Sequence, residues 1–162
     1  MSRTAILTIL SAVAAMILGS SAVADPLLTK AQIAKAAAKI GACLDKQRNE
    51  SNPSSCMGLV KAPCDDAITA GGEAAHATCS DNETAAWDVL LNKRWTELSS
   101  SMTPEKFTAL KAVQKLWLAY RDAKCAFLAT DDPSMMGYMN AAECRLEETS
   151  GRVLELRDLG GG

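Results

Sequence analysis

Gln114, Trp117, Arg121, Asp122 and Cys125 lie within the segment VQKLWLAYRDAKC, residues 113–125, at spacings of three and four residues that place Gln114, Trp117, Arg121 and Cys125 on one broad face of a helix. These groups have a definite chemistry. A guanidinium pairs with a carboxylate or with helix-end carbonyls, an indole packs or takes a cation on its face, and a thiol forms a bridge in an oxidising compartment. Elsewhere, Asp88 and Asn92 sit one turn apart, and Arg152 is placed to meet an acid such as Glu148 or one on a neighbouring helix. The groups fit either a polar network at the edge of a bundle core or a ligand site. Charges inside bundles are usually paired for structural reasons, so the network is the expected reading.

Catalysis needs more than these residues. The chain has one histidine, His76, no paired serine and histidine, and no nucleophile elbow. Its carboxylates are scattered, with nothing to fix the separation that a pair of glycosidase carboxylates requires. The expectation is a binding protein and not an enzyme, with a cell-wall enzyme as the disfavoured rival.

Residues 1–24 have Arg3, then an apolar run, then Ala22-Val23-Ala24. This is the pattern of a secretory signal cleaved after Ala24, too short and too rich in small residues for a stable membrane span. The expected organisation is a signal peptide at 1–24, a helical domain at 25–159 and a disordered glycine tail at 160–162. Within the domain, 25–78 is an N-terminal helix with a Cys-rich loop and 79–159 is the core. The net charge of the whole chain is −2, and loss of Arg3 makes the mature chain one unit more negative. That mild acidity disfavours nucleic acid and slightly favours a basic partner. The predicted location is the periplasm or the exterior.

Export sets the reading of Cys43, Cys56, Cys64, Cys79, Cys125 and Cys144. With one histidine and no CxxC spacing, three disulfides are expected and neither a metal nor any other cofactor.

The elements that must position these groups all read as helices. Thr29 and Gln32 have capping-box spacing ahead of Ile33, Ala36, Ala37, Ile40 and Leu44, with Gly41 as a weak point. Residues 50–79, with Pro53, Pro63 and Gly71-Gly72, read as a covalently held loop. Ser80 and Glu83 form a second capping-box pattern before Trp87, Leu90, Leu91, Trp95, Leu98 and Met102. Thr103-Pro104-Glu105 opens a third helix with Phe107, Leu110, Val113, Trp117, Tyr120 and Leu128 as its buried stripe. The short connection makes these two helices antiparallel neighbours. A last helix follows Pro133 with Met135, Met139, Ala142, Leu146, Thr149, Val153 and Leu156 on a seam. Cys144 points away from that seam, which implies either a break near Asn140 or a covered flank. The fold class is therefore all-α: a small, disulfide-stapled antiparallel bundle of about four helices.

Three ordered motifs carry a family resemblance: C-x7-WD-x2-LN-x2-W from Cys79 to Trp95, Q-x2-W-x2-YRD-x2-C from Gln114 to Cys125, and C-x4-T-x2-R-x3-L from Cys144 to Leu156. The chain resembles the LprI N-terminal-like family, small secreted or periplasmic helical domains named after a lysozyme inhibitor. Trp95 stands where the family usually has tyrosine, which removes a hydroxyl. The resemblance implies inhibition of a lysozyme-type muramidase by direct contact. The alternative is an envelope-associated interaction or stress module with a different protein partner. The oligomeric state is left open.

The family motif holds both Cys125 and Cys144, and the two follow adjacent antiparallel helices, so they are expected to pair. The remaining four cysteines allow three connectivities; Cys56–Cys64 within the loop and Cys43–Cys79 between helices are preferred. For the partner surface, residues 129–140 combine Asp131 and Asp132 with Met135, Met136 and Tyr138, and a Cys125–Cys144 bridge would pin both ends. The bland reading of the same segment is an ordinary helix connection with an N-cap.

Overall fold

The computed structural model describes residues 27–47 and 52–159. The signal segment, its cleavage point and the glycine tail lie outside the described residues. Five α-helices are present: α1 (Lys30–Lys46), α2 (Lys61–Asp66), α3 (Gly72–Ser101), α4 (Pro104–Asp131) and α5 (Met135–Asp158), with a 3₁₀ turn at Pro53–Cys56. The described part is an all-α bundle stapled by three disulfides.

α1 starts at the expected capping box. The Thr29 amide donates to Gln32 Oε1 at 2.9 Å, and the Gln32 amide reaches back to Thr29 Oγ1 at 3.4 Å. Ala37, Ile40 and Leu44 are its buried line. Gly41 does not interrupt the helix but brings it close to α3, since a Cβ there would stand 3.6 Å from Leu90 Cδ2.

α3 begins at Gly72, two turns before the expected start. Gly71, at φ 104°, takes the left-handed conformation that glycine adopts without steric cost, and Glu73 supplies a negative charge to the first turn. Ser80 is therefore inside the helix, its hydroxyl donating to the His76 carbonyl at 3.2 Å. The Ser80–Glu83 capping box does not form because the Glu83 side chain is used elsewhere. Its carboxylate is completely buried and accepts the amides of Gly58, Val60 and Lys61 at 2.6, 2.8 and 2.7 Å, together with the Trp87 indole N–H at 3.1 Å. A distant glutamate thus caps α2 and folds the Cys-rich segment onto α3.

That arrangement also corrects two of the expected bridges. The pairs are Cys43–Cys56, Cys64–Cys79 and Cys125–Cys144; the Cys56–Cys64 and Cys43–Cys79 connections do not form. The reason is local regularity in residues 53–79. The 3₁₀ turn sets Cys56 against α1, while α2 sets Cys64 against the early turns of α3, where Cys79 resides.

α3 and α5 form the central pair, α1 and α2 pack on α3, and α4 packs on α5. Trp87, Ile40, Leu98 and Leu156 are fully buried at the centre. Each contributes on the order of 1.5–3 kcal/mol through burial. α4 runs back from the short turn at Met102-Thr103 but makes little contact with α3, so it has one packed face. Of its expected stripe, Leu110 is buried and Phe107, Trp117 and Leu128 are half-buried, whereas Val113 and Tyr120 are exposed.

α5 is unbroken. Ala142, Leu146, Thr149, Val153 and Leu156 are buried as the seam requires, and Cys144 is buried on the flank covered by α4. Met135, at the start of that seam, is exposed.

Candidate functional site

The motif residues of α3, α4 and α5 converge on Trp117. Arg121 lies over one region of the indole at 5.1 Å and Arg152 over another at 5.6 Å, both within cation–π reach. α4 supplies Gln114, Trp117 and Arg121 from its inner face, as their spacing requires. α5 supplies Thr149, Arg152 and Glu155, and α3 supplies Asp88.

Hydrogen bonds fix the two guanidiniums. Arg121 donates to Thr149 Oγ1 at 3.3 Å and twice to Asp122 Oδ1, at 3.0 and 2.9 Å, and stands 3.9 Å from Asp88 Oδ1. Arg152, only 7 % exposed, donates to Gln114 Oε1 at 2.8 Å and Glu155 Oε2 at 2.7 Å. Its acid is thus Glu155, one turn on, and Glu148 instead pairs with Lys124. Burial raises the Asp88 carboxyl above its ordinary value; the Arg121 charge acts against that shift and Asp122 adds to it. Asn92, grouped with Asp88 by spacing, is exposed on α3.

Chemically, this network positions α4 on α5. Both guanidiniums spend donors on fixed acceptors and stand within reach of the same indole, which holds these side chains in place, and the buried Arg152 Nη2 is left without a hydrogen-bond partner among the described residues. Trp95, the departure from the family pattern, packs on Phe107 with ring centroids 5.0 Å apart at the α3–α4 turn.

The α4–α5 connection is tighter than the 129–140 segment suggested. Asp131 ends α4, Met135 begins α5, and only Asp132-Pro133-Ser134 lies between. Asp132 Oδ1 accepts the Ser134 amide at 2.9 Å, and Ser134 Oγ caps α5 by accepting the Met136 amide at 3.2 Å. The hydrogen bonds from Ser134 hold the Asp132 carboxyl below its ordinary value, so it keeps its charge into mildly acid solution. Gly137 is required, because a Cβ there would come within 1.6 Å of the Asp132 carbonyl oxygen. Behind this tip the Cys125–Cys144 bridge ties the helices together. Met135, Met136 and Tyr138 are 47, 43 and 58 % exposed on the first turn of α5. Asp131, Asp132, Met135, Met136 and Tyr138 thus lie around one short helix connection.

A groove of about 590 Å³ between α1, α3 and α5 escaped the sequence reading; Leu44, Leu90, Arg94, Val153 and Arg157 are among its walls. Its charges are used unequally: the buried Arg157 Nη1 has no hydrogen-bond partner among the described residues, whereas Arg94 is fully engaged. Arg94 donates to the Leu156 and Arg157 carbonyls at 2.9 and 3.0 Å, closing the C-terminus of α5, and pairs with Glu97.

Fold and network together define a small, disulfide-stapled helical domain in which the residues around Trp117 hold α4 on α5. The family model of the lysozyme inhibitor LprI matches residues 64–156, from α2 to the end of α5, and the chain belongs to that family. No curated protein and no solved structure matches the chain. The family is one of inhibitors, in accord with a non-enzymatic role.

Proposed function

We propose that the mature, oxidised protein inhibits a lysozyme-type muramidase by direct protein contact in the periplasm or outside the cell. The observation that carries this reading is membership of the lysozyme inhibitor family, matched over residues 64–156. Three disulfides suit an oxidising compartment. Among the described residues, no helix is long and apolar enough to cross a membrane. In this reading residues 1–24 act as a cleaved export signal.

The contact surface is assigned to the α4–α5 tip. Asp131 and Asp132 offer charge to a basic enzyme, while Met135, Met136 and Tyr138 offer adaptable apolar area and an aromatic anchor. Rigidity matters here, since a pre-organised corner loses little entropy on binding.

The test is lysis of cell-wall suspensions by a panel of lysozymes, with and without the mature protein carrying its three bridges intact. Slowed lysis by a directly bound complex is expected. Unaltered lysis by every enzyme at micromolar inhibitor would reject the reading for those enzymes.

A further inference from the structure

The first turns of α5 gather three of the chain's seven methionines, Met135, Met136 and Met139. Thioethers that serve a core are buried, but Met136 is 43 % exposed and Met139 is half-buried. Three residues apart, Met136 and Met139 share one side of the helix. Together with Gly72, Glu73 and His76 from the start of α3 they line a surface pocket of about 380 Å³.

The bundle fixes this meeting. Arg145 donates to Asp81 at 2.8 Å and Arg94 to the Leu156 carbonyl at 2.9 Å, so α3 and α5 run parallel and set side by side residues 64 and 62 positions apart. His76 and Met139 fall in that register, as do Glu73 and Met136. The Cys64–Cys79 bridge ties α2 to the same end of α3.

His76 is held in the manner of a metal ligand. Its Nδ1 lies 2.8 Å from Asp65 Oδ1; in the neutral ring that nitrogen donates, and the lone pair is on Nε2. A carboxylate behind an imidazole fixes the ring and makes its other nitrogen a better donor to a metal. Asp65 is anchored in turn, since Lys61 Nζ donates to its Oδ2 at 2.8 Å and stands 3.2 Å from Glu143 Oε1, one turn beyond Met139 on α5.

We infer that Met136 Sδ, Met139 Sδ and His76 Nε2 bind a soft monovalent metal ion, copper(I). Two thioethers and an imidazole select this ion over zinc, which takes imidazole with thiolates or carboxylates, and over calcium, which takes oxygens. All six cysteines are in bridges, so no thiolate competes for it. Among the described residues, no three side chains drawn from histidine, cysteine, aspartate and glutamate gather to hold a metal ion. A methionine side chain turns about three bonds, so each sulfur can swing to the ion while the helices stay in place. The inference does not rest on muramidase inhibition. Met136 belongs to both surfaces, but metal binding is measured on the protein alone, and the two readings can fail separately.

The test is titration of the mature, oxidised protein with silver(I) in chloride-free buffer, because this copper(I) mimic needs no reductant and leaves the three bridges intact. Competition for copper(I) against bicinchoninate follows. One ion per chain is expected, at micromolar affinity or tighter, with the Met136 and Met139 methyl resonances and the His76 ring resonances shifting together. His76→Ala, and Met136→Leu combined with Met139→Leu, should each weaken binding at least about tenfold without changing the circular dichroism spectrum. Asp65→Asn should weaken it about 10–100-fold through the ring it positions, with the two methionine methyls still responding. Met135→Leu, outside the pocket, should bind as the parent does. Absence of binding at micromolar silver(I) overturns the inference, as does binding indifferent to the paired methionine change or lost equally with Met135→Leu. Tighter binding of zinc(II) than of silver(I) would also overturn it.

Discussion

Glu83, on α3, accepts the backbone amide of Lys61 at 2.7 Å, so a carboxylate in the middle of one helix closes the N-terminus of another. The same buried group takes the Gly58 and Val60 amides and the Trp87 indole. Truncation to alanine strands four donors, the buried Trp87 indole N–H and three part-buried amides, and unpaired buried groups are costly. Glu83→Ala should lose about 3–5 kcal/mol in urea unfolding of the oxidised protein. A loss below about 1 kcal/mol would show that the Cys-rich segment docks without this cap.

The Cys64–Cys79 bridge tethers the same segment. Lys61, Asp65 and His76 run beside it as a chain of polar contacts, Asp65 accepting from Lys61 and paired with His76, each at 2.8 Å. Replacing both cysteines by serine should cost about 3 kcal/mol, the magnitude expected for a loop of this size. Peptide mapping without reduction should recover Cys43–Cys56 and Cys64–Cys79 as linked fragments. Recovery of a Cys56–Cys64 fragment would contradict the arrangement.

Gly137 holds the tip together by being small. Gly137→Ala drives a methyl into the Asp132 carbonyl, and the helix start must move. A fall in stability of about 1–3 kcal/mol is expected, with weaker muramidase inhibition than the loss of fold alone explains. Inhibition by the folded fraction equal to that of the parent would detach function from the tip.

Charge and apolar contact at the tip should separate kinetically. Asp131→Asn with Asp132→Asn removes long-range attraction and should slow association, most visibly at low salt. Tyr138→Ala removes buried contact area and should speed dissociation. Surface plasmon resonance against an inhibited lysozyme measures both rates. If inhibition persists and neither rate moves, another surface makes the contact.

Asp88 sets a small dependence on pH. Burial raises its folded-state carboxyl, with Arg121 in opposition and Asp122 in support. The unfolded chain then releases this proton at lower pH than the folded one, so stability falls as pH rises from about 4 through the raised value and stays reduced above it. Asp88→Asn should match the parent near pH 3 and melt slightly higher at pH 7. A lower melting temperature at pH 7 would mean that the Arg121 pair outweighs burial.

Much of this architecture is legible in residue order alone. The capping box at Thr29, the Thr103-Pro104 helix start and the seam from Ala142 to Leu156 are local signals, set by interactions that span three or four residues. Gln114, Trp117 and Arg121 share a face for the same reason, and the family motifs place them with Arg152. Ser80 and Glu83 mark where such reasoning ends. Their spacing is that of a cap, yet Glu83 serves amides more than twenty residues away, and α3 runs on through the expected start.

The sequence by itself determined an all-α, disulfide-stapled domain, because periodicity, caps and cysteine count act through neighbours along the chain. Only the tertiary structure decided which cysteines meet, since the pairing depends on how the 3₁₀ turn and α2 dock on α1 and α3. It also decided that Val113 and Tyr120 face outward. A helix's apolar stripe reports where burial is possible, and the number of helices packed around α4 decides which stripe is buried.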